Sequence, residues 1–468
     1  MASVKDIYTK TNNYLKRNGI EKTAQAVADS AFTKTPKSYK YQIATNDELK
    51  AQRAWSKRFS TDLKFSLVIP AYETSPQYFR EMTASVLDQT YNNWEMIIVD
   101  GSFDMRLKEE LERMMGVPVG GISNGREASE KEVNNRFGGK ADYFVEYDYE
   151  LGTIMYLHVL KNGGISVNSN YGIDLASGDY IGFLDHDDIL TPDALYCMSK
   201  ALVSNEYKAK LLYSDEDKTN AKGNAYFEPN RKADYNLDLF LSNNYICHLA
   251  FLERELVQSL MLRSEYDGAQ DYDLYLRAIR KMENPDEQVL HVPKILYHWR
   301  CHEGSTAGNT NAKEYAYEAG RKAVADFCKE CGWAVTVSHT EHLGFYHIEY
   351  KNLLFSTRPD IGILCGPIYK LGKISGGAMR SDGTVVYRGL ARGLGGYLHR
   401  GALVQEVEAA DVRNIRVNPA LEDLYEKMVE AKMASNSPDY IGLSLAFSKK
   451  VKELGYRIIY DPNHKVEQ

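Results

Sequence analysis

The chain has 468 residues, with 57 Lys and Arg against 64 Asp and Glu, a formal net charge of −7. At roughly 100–200 residues per domain, that length implies two or three domains. Its 44% hydrophobic and 26% charged content suits a soluble globular protein with a large core. The acidic balance excludes a dominant phosphate-backbone partner such as DNA, although net charge hides local basic patches.

Residues 1–60 are polar, with a loose helical period, and predict an accessory helical arm. The start, MASVKDIYTKTNNYLKRNG, lacks a long apolar segment. No later run reaches the ~20 apolar residues of a spanning helix. The six cysteines show no paired framework. These features predict a cytoplasmic chain with reduced thiols, with peripheral contact at the inner membrane face left open. Cys328 and Cys331 lack a second pair and predict two thiols near a helix end rather than a zinc site.

FSLVIPAY (65–72) is a continuous apolar run of the buried parallel-strand kind. A helix follows, with Phe79, Met82, Val86 and Leu87 at helical spacing, and then the strand WEMIIVD ending at Asp100. Strand, helix, strand implies a right-handed crossover in an α/β layer. Residues 115–150, rich in Gly, Asn and charge, interrupt the rhythm and predict a surface insertion, a candidate flap. MYLHVL (155–160) resumes the strands. A short helix follows, with Ser166 as its candidate cap. YIGFL then runs into Asp185-His186-Asp187-Asp188. Thr191-Pro192-Asp193 has the composition of a helix start. LLYSDEDK (211–218) predicts a short strand ending in acids, AQDYDLYLRAIRKM (269–282) a helix, and VLHVPKILYHWRC a strand. A further helix spans about 312 to 331, and a distinct part begins near 355.

In open parallel sheets, ligands sit beyond the carboxyl ends of the strands. Asp100, Asp185 and Asp215 are expected to gather there. Adjacent carboxylates resist joint ionisation unless a cation compensates. A hard divalent ion, Mn²⁺ or Mg²⁺, completed by substrate phosphates, would do so. An acidic turn serving only the following helix is the plainer alternative.

SLVIPAYE, WEMIIVDGSFD, KNGGISVNSNYGIDLASGDYIGFLDHDD, GAQDYDLYLR and YHWRCHEGSTA occur in the order and spacing of the family 2 glycosyltransferases, which this chain resembles over about residues 64–310. The nearest likeness is to bacterial enzymes of surface-polysaccharide synthesis, rhamnosyl- and galactosyltransferases among them. The resemblance implies a GT-A fold, a Rossmann-like and mostly parallel sheet flanked by helices. The domains expected are the arm at 1–60, a glycosyltransferase domain at 61–335 and a smaller α/β part at 336–468, a degenerate or partial module of the same kind. That last part offers only Asp439 before its final helix and is expected to serve acceptor binding, packing or homo-oligomer contacts.

The resemblance also implies roles. Pro70, Ala71, Tyr72, Glu73 and Asp100 would line the base and ribose, although VDGS stands where many members carry two acids. Asn162 and Gly164 belong to the turn near the nucleotide and Asn170 to the helix beneath it. Asp185 and His186 would face the ribose and metal waters, Asp187 would bind the metal, and His302 would be a third metal or diphosphate contact. Arg300 and Ser305 would hold the diphosphate. Asp271 matches the catalytic base, preceded here by Gln270 where Glu is usual. Asp215, Asp217, Gln270, His298 and Trp299 are candidate acceptor contacts; a solvated loop for the two acids and a core role for His298 are equally open. The expected reaction is inverting transfer from a UDP- or dTDP-sugar to a hydroxyl of a glycan or lipid-linked glycan. A non-catalytic nucleotide-sugar or glycan-binding subunit of the same fold is the alternative.

Overall fold

A computed structural model of the chain describes residues 39–58, 63–116, 125–149, 152–302, 314–351, 353–433 and 439–467, with a few isolated positions before residue 39. Of the expected N-terminal arm, the helix Asn46–Arg58 is described and most of the rest lies outside the described residues. The chain divides into two compact units. One comprises 38–235 and 246–323; the other comprises 236–245 and 324–468.

The first unit is built on an eleven-stranded mixed sheet. Its strands are β1 Phe65–Ala71, β2 Trp94–Asp100, β3 Gly125–Glu127, β4 Ala141–Tyr149, β5 Gly152–Val159, β6 Tyr180–Phe183, β7 Ile189–Leu190, β8 Leu211–Asn220, β9 Tyr226–Asn230, β10 Ala250–Glu253 and β11 Val289–Cys301. The order is β3-β4-β5-β2-β1-β6-β10-β8-β11-β7, with β9 on β8. The block β5-β2-β1-β6 is parallel throughout. β1 and β2 are buried almost without interruption, which explains why their sequences do not alternate. The register aligns Ala71 with Asp100 and Asp100 with His158, so these strands end level with one another. Helix Pro76–Leu87 buries Phe79, Met82 and Val86, as its spacing predicts.

Three local expectations are corrected. Residues 115–150 are not merely a surface insertion, because β4 pairs antiparallel along the whole of β5 and extends the sheet. Apolar residues at Phe144, Val145 and Tyr147 make that strand, and its acids occupy the more open positions. Residues 117–124 lie outside the described part. Ser166 does not cap its helix. Gly164, at φ 87°, is the cap residue of Ile165–Leu175, and Ser166 instead donates to Asp267. Finally, β8 does not stop at its acids but continues to Asn220, because β11 pairs with it as far as Cys301.

In the second unit a four-stranded sheet joins 405–406, 457–460, 361–365 and 415–417. Its core holds Ile363, Cys365, Phe447, Val451, Ile458 and Tyr460. Asp439 caps helix Tyr440–Glu453 through the Gly442 N–H at 3.0 Å. Arg358 is 2% exposed and bonds Asp238 at 3.0 Å and Asp360 at 2.8 Å. Its guanidinium also lies 4.8 Å from the Trp333 ring. Removing one partner of such a pair strands a buried charge, so Arg358→Ala is expected to cost about 3–5 kcal/mol. Lysine should recover only part of this, because one ammonium cannot replace a fork serving two carboxylates. Urea unfolding checks this; a loss under about 1 kcal/mol would refute the pairing as a stabilising element.

Candidate active site

β6 runs into the turn Leu184–Asp188, held by the Leu184 N–H on the Val68 carbonyl at 3.1 Å and the Asp188 N–H on the Asp185 carbonyl at 3.2 Å. Asp188, 1% exposed, anchors the turn. It accepts from the Tyr297 hydroxyl and from the Arg300 N–H, the latter at 2.7 Å. Burial, with the charges of Asp187 and Asp185, pushes its carboxyl well above the usual range. Arg300 was expected to hold diphosphate, but its side chain is fully buried. Its Nε donates to the Asp187 carbonyl at 2.5 Å and Nη1 to the Ala221 carbonyl at 2.9 Å, while Glu81 pairs with it at 2.6 Å. The guanidinium therefore backs the turn from within. Ser305 lies outside the described residues.

The Asp185 side chain is 40% exposed. Partial desolvation in the turn raises its carboxyl, and the charges of Asp187 and Asp271 act in the same direction. His248, whose Nε2 is 4.0 Å away, works against them. Asp187 Oδ2 lies 2.7 Å from His302 Nε2. The His302 ring lies 4.8 Å from that of Tyr78. No group of three or more His, Cys, Asp or Glu side chains is arranged around a metal position among the described residues. The adjacent Asp187 oxygen and His302 nitrogen nevertheless fit a hard divalent cation that takes its remaining contacts from water and phosphate oxygens. Nearby, His186 Nδ1 is buried without a hydrogen-bond partner.

At the ends of β1 and β2, Ala71 is buried, while Tyr72 is 42% and Phe103 85% exposed. Their rings lie 6.2 Å apart. Glu73, at φ 47°, follows the half-buried Pro70 by three residues. Its N–H donates to Ser102 Oγ at 2.9 Å, and its Oε1 accepts from the Phe103 N–H at 3.0 Å. Asp100 is fully buried. One of its oxygens accepts from the Ser102 N–H at 2.9 Å and the other from the Tyr156 hydroxyl at 2.6 Å, so it braces this loop from inside. Asn162 Oδ1 accepts from the Gly164 N–H and from Asn168 Nδ2, both at 3.0 Å. Asn170 forms a two-way amide pair with the backbone of Leu262, each bond 2.9 Å.

Asp271 is half-buried in the first turn of helix Gln270–Lys281, near enough to Asp185 for their charges to interact. Gln270 Oε1 accepts from the Gly268 N–H at 2.8 Å, which fixes the approach to that helix. Asp273, two residues on, is 2% exposed and bound by Arg263 and Arg277. Asp215 was expected at the edge of the sheet. It is buried, accepting from His291 at 3.0 Å and from the Lys232 N–H at 2.8 Å. Burial opposes these bonds, yet they hold its carboxyl below the usual range. Asp217 is equally enclosed, with His298 at 2.5 Å and the Tyr39 hydroxyl at 2.7 Å. Tyr41 and Tyr226 flank the His298 ring. Trp299 is half-buried, its ring 6.3 Å from that of His248.

His248, Tyr78 and Lys232 were not among the candidates that the sequence offered. His248 stacks on Tyr297 at 4.8 Å. Lys232 Nζ is fully buried and donates to the carbonyls of Ile246 and His248. An isolated histidine before an apolar strand carries no sequence signal. A lysine with so little exposure would have been one only if its burial were legible.

A parallel block β5-β2-β1-β6, with an acidic turn leaving the strand beside β1, is the GT-A form of the α/β fold. Residues 66–121 and 140–261 match Glycosyl transferase family 2. These residues, which include the acidic turn, are thus similar to that family. An uncharacterized protein, y4gI, of Sinorhizobium fredii is 35% identical over 262 residues, 56% of this chain and 25% of that protein. The O-antigen biosynthesis protein RfbC of Myxococcus xanthus is 30% identical over 314 residues, 65% of this chain and 22% of that one. The chain thus spans about a quarter of the length of these relatives. A crystal structure of S. aureus TarS 1-349 with UDP-GlcNAc aligns at 16% identity and a TM-score of 0.40, over 57% of this chain and 66% of that one. A likeness that slight bears no further weight.

Proposed function

We propose that the chain is an inverting, metal-dependent glycosyltransferase. It moves a sugar from a UDP- or dTDP-sugar to a hydroxyl of a glycan or lipid-linked glycan during synthesis of a bacterial cell-surface polysaccharide. The observation that carries this reading is the convergence on one turn of Asp185, the Asp187–His302 pair and the start of the Asp271 helix. The family match of the domain and the biosynthetic name of RfbC support the class of reaction and its setting.

Asp187 and His302 would hold the cation, with Asp185 beside them. When bound, the ion supplies fixed positive charge against the diphosphate as the sugar–phosphate bond breaks. Tyr72 and Phe103 offer exposed aromatic surface to the nucleobase, and Asp100 holds the Ser102 turn beneath them. Asp271 takes the proton from the acceptor hydroxyl as its oxygen attacks the anomeric carbon. One direct displacement opposite the leaving group inverts that centre. Asp188, Arg300 and Tyr297 keep the turn in place without touching substrate. No described helix is long and apolar enough to cross a membrane, and the proposed place of action is the inner membrane face.

The test is turnover of a nucleotide-sugar panel with Mn²⁺ and with EDTA, the product's anomeric configuration being read by NMR. Metal-dependent transfer with inversion is expected. Donor binding without turnover on any acceptor would favour the non-catalytic subunit instead.

A further inference from the structure

Between residues 368 and 400 the cations Lys370, Lys373, Arg380, Arg388, Arg392 and Arg400 face a single acid, Asp382, in a chain whose net charge is −7. Part of this segment is a tight hairpin in the second unit. The strands Ile368–Lys370 and Lys373–Gly376 pair with Lys370 opposite Lys373, and Leu371-Gly372 forms the turn. The stretch 388–392 runs along the second strand, with the Ile374 N–H on the Leu390 carbonyl at 2.9 Å and the Arg392 N–H on the Gly372 carbonyl at 2.9 Å. These bonds bring Lys370, Lys373 and Arg392 together around Leu371. Both lysines are exposed, and neither has an ion-pair partner among the described residues. Arg392 pairs with Glu467 and leans over the Tyr369 ring at 4.7 Å.

Leu371 is the anomaly. It is 93% exposed, the most open of the large apolar side chains among the described residues. Its φ is 51° and that of Gly372 is 71°. Two left-handed residues in a two-residue hairpin turn call for Asn-Gly or Asp-Gly, because Asn and Asp tolerate that conformation and leucine does not. Leucine thus opposes turn formation and solubility at once and packs nothing in return. Breaks of local rules of this kind concentrate at functional or strained positions.

We propose that this hairpin tip docks the protein on an anionic phospholipid bilayer, with Leu371 entering the interface and Lys370 and Lys373 meeting the headgroups. The charges match, since basic side chains are drawn to an anionic leaflet. An apolar side chain held out among them adds the second anchoring signal that stable surface binding requires. A nucleic acid would use the cations but not a protruding leucine. A second copy of the chain would set lysines against lysines. The proposal goes beyond the glycosyl-transfer reading and does not depend on it.

The experiment is co-sedimentation of the full chain with vesicles of equal parts phosphatidylglycerol and phosphatidylcholine, against vesicles of phosphatidylcholine alone. Binding to the anionic vesicles is expected, and it should fall as salt rises. Lys370→Gln with Lys373→Gln should weaken it about thirtyfold. Leu371→Asn installs the favoured Asn-Gly turn. It should hold or raise the melting temperature while weakening vesicle binding about tenfold, which separates docking from folding. Equal binding to both vesicle types, or unchanged binding by Leu371→Asn, overturns the proposal. So does a Leu371-dependent dimer in gel filtration, or salt-sensitive RNA binding without vesicle binding. Turnover on a soluble acceptor should be unchanged in these variants, so loss of docking and loss of the enzymatic reading are told apart.

Discussion

Asp271→Asn is expected to lower transfer by about 10²–10⁴-fold, the range a positioned general base contributes. Donor affinity should change little. Asparagine preserves size and can still accept a hydrogen bond, but it cannot take up the proton of the attacking hydroxyl. Its neighbour Asp273 cannot substitute, because Arg263 and Arg277 bind it in the interior. The measurement is kcat alongside donor Kd by calorimetry. A variant retaining wild-type kcat would remove Asp271 from the reaction. One that lost donor binding instead would make it part of the donor pocket.

Asp187→Ala should fail at an earlier step. Its carboxylate and the adjacent His302 nitrogen are the groups proposed to hold the cation, so the variant should lose metal-assisted donor binding as well as turnover. Lewis-acid stabilisation of a leaving diphosphate amounts to several kcal/mol, so the rate loss should reach about 10³-fold or more. Mn²⁺ binding followed by electron paramagnetic resonance gives a readout independent of activity. Wild-type Mn²⁺ affinity in the variant would refute the proposed ligand. The two variants form a contrast: Asp187→Ala is expected to affect metal and donor binding, and Asp271→Asn the transfer step alone.

The placement of those two aspartates in the chain was legible because it is set locally. Asp187 lies within four residues of the buried strand YIGF, and Asp271 opens a helix whose periodicity is plain in the sequence. Other candidates were misplaced for a common reason. Asp215 and Asp217 resemble strand-end acids only if β8 stops where its apolar run stops. β11 keeps it going to Asn220, and a strand's length is fixed by its partner as much as by its own residues. Arg300 resembles a phosphate ligand in the sequence, whereas the structure buries it behind the acidic turn on two backbone carbonyls and Glu81, with Nη2 left without a hydrogen-bond partner. His248, Tyr78 and Lys232 come from separate segments and reach the site only through packing.

The sequence by itself determined the α/β class, the parallel strands β1, β2 and β6, and the acidic turn. Each of these follows from hydrophobic continuity or from residue spacing within a few positions. The tertiary structure alone decided which acids stay open to a ligand and which are neutralised inside. That depends on partners a hundred or so residues away, as with Tyr297 and Arg300 on Asp188 or His298 on Asp217. A carboxylate's charge is set by what surrounds it in space, and chain order does not record those surroundings.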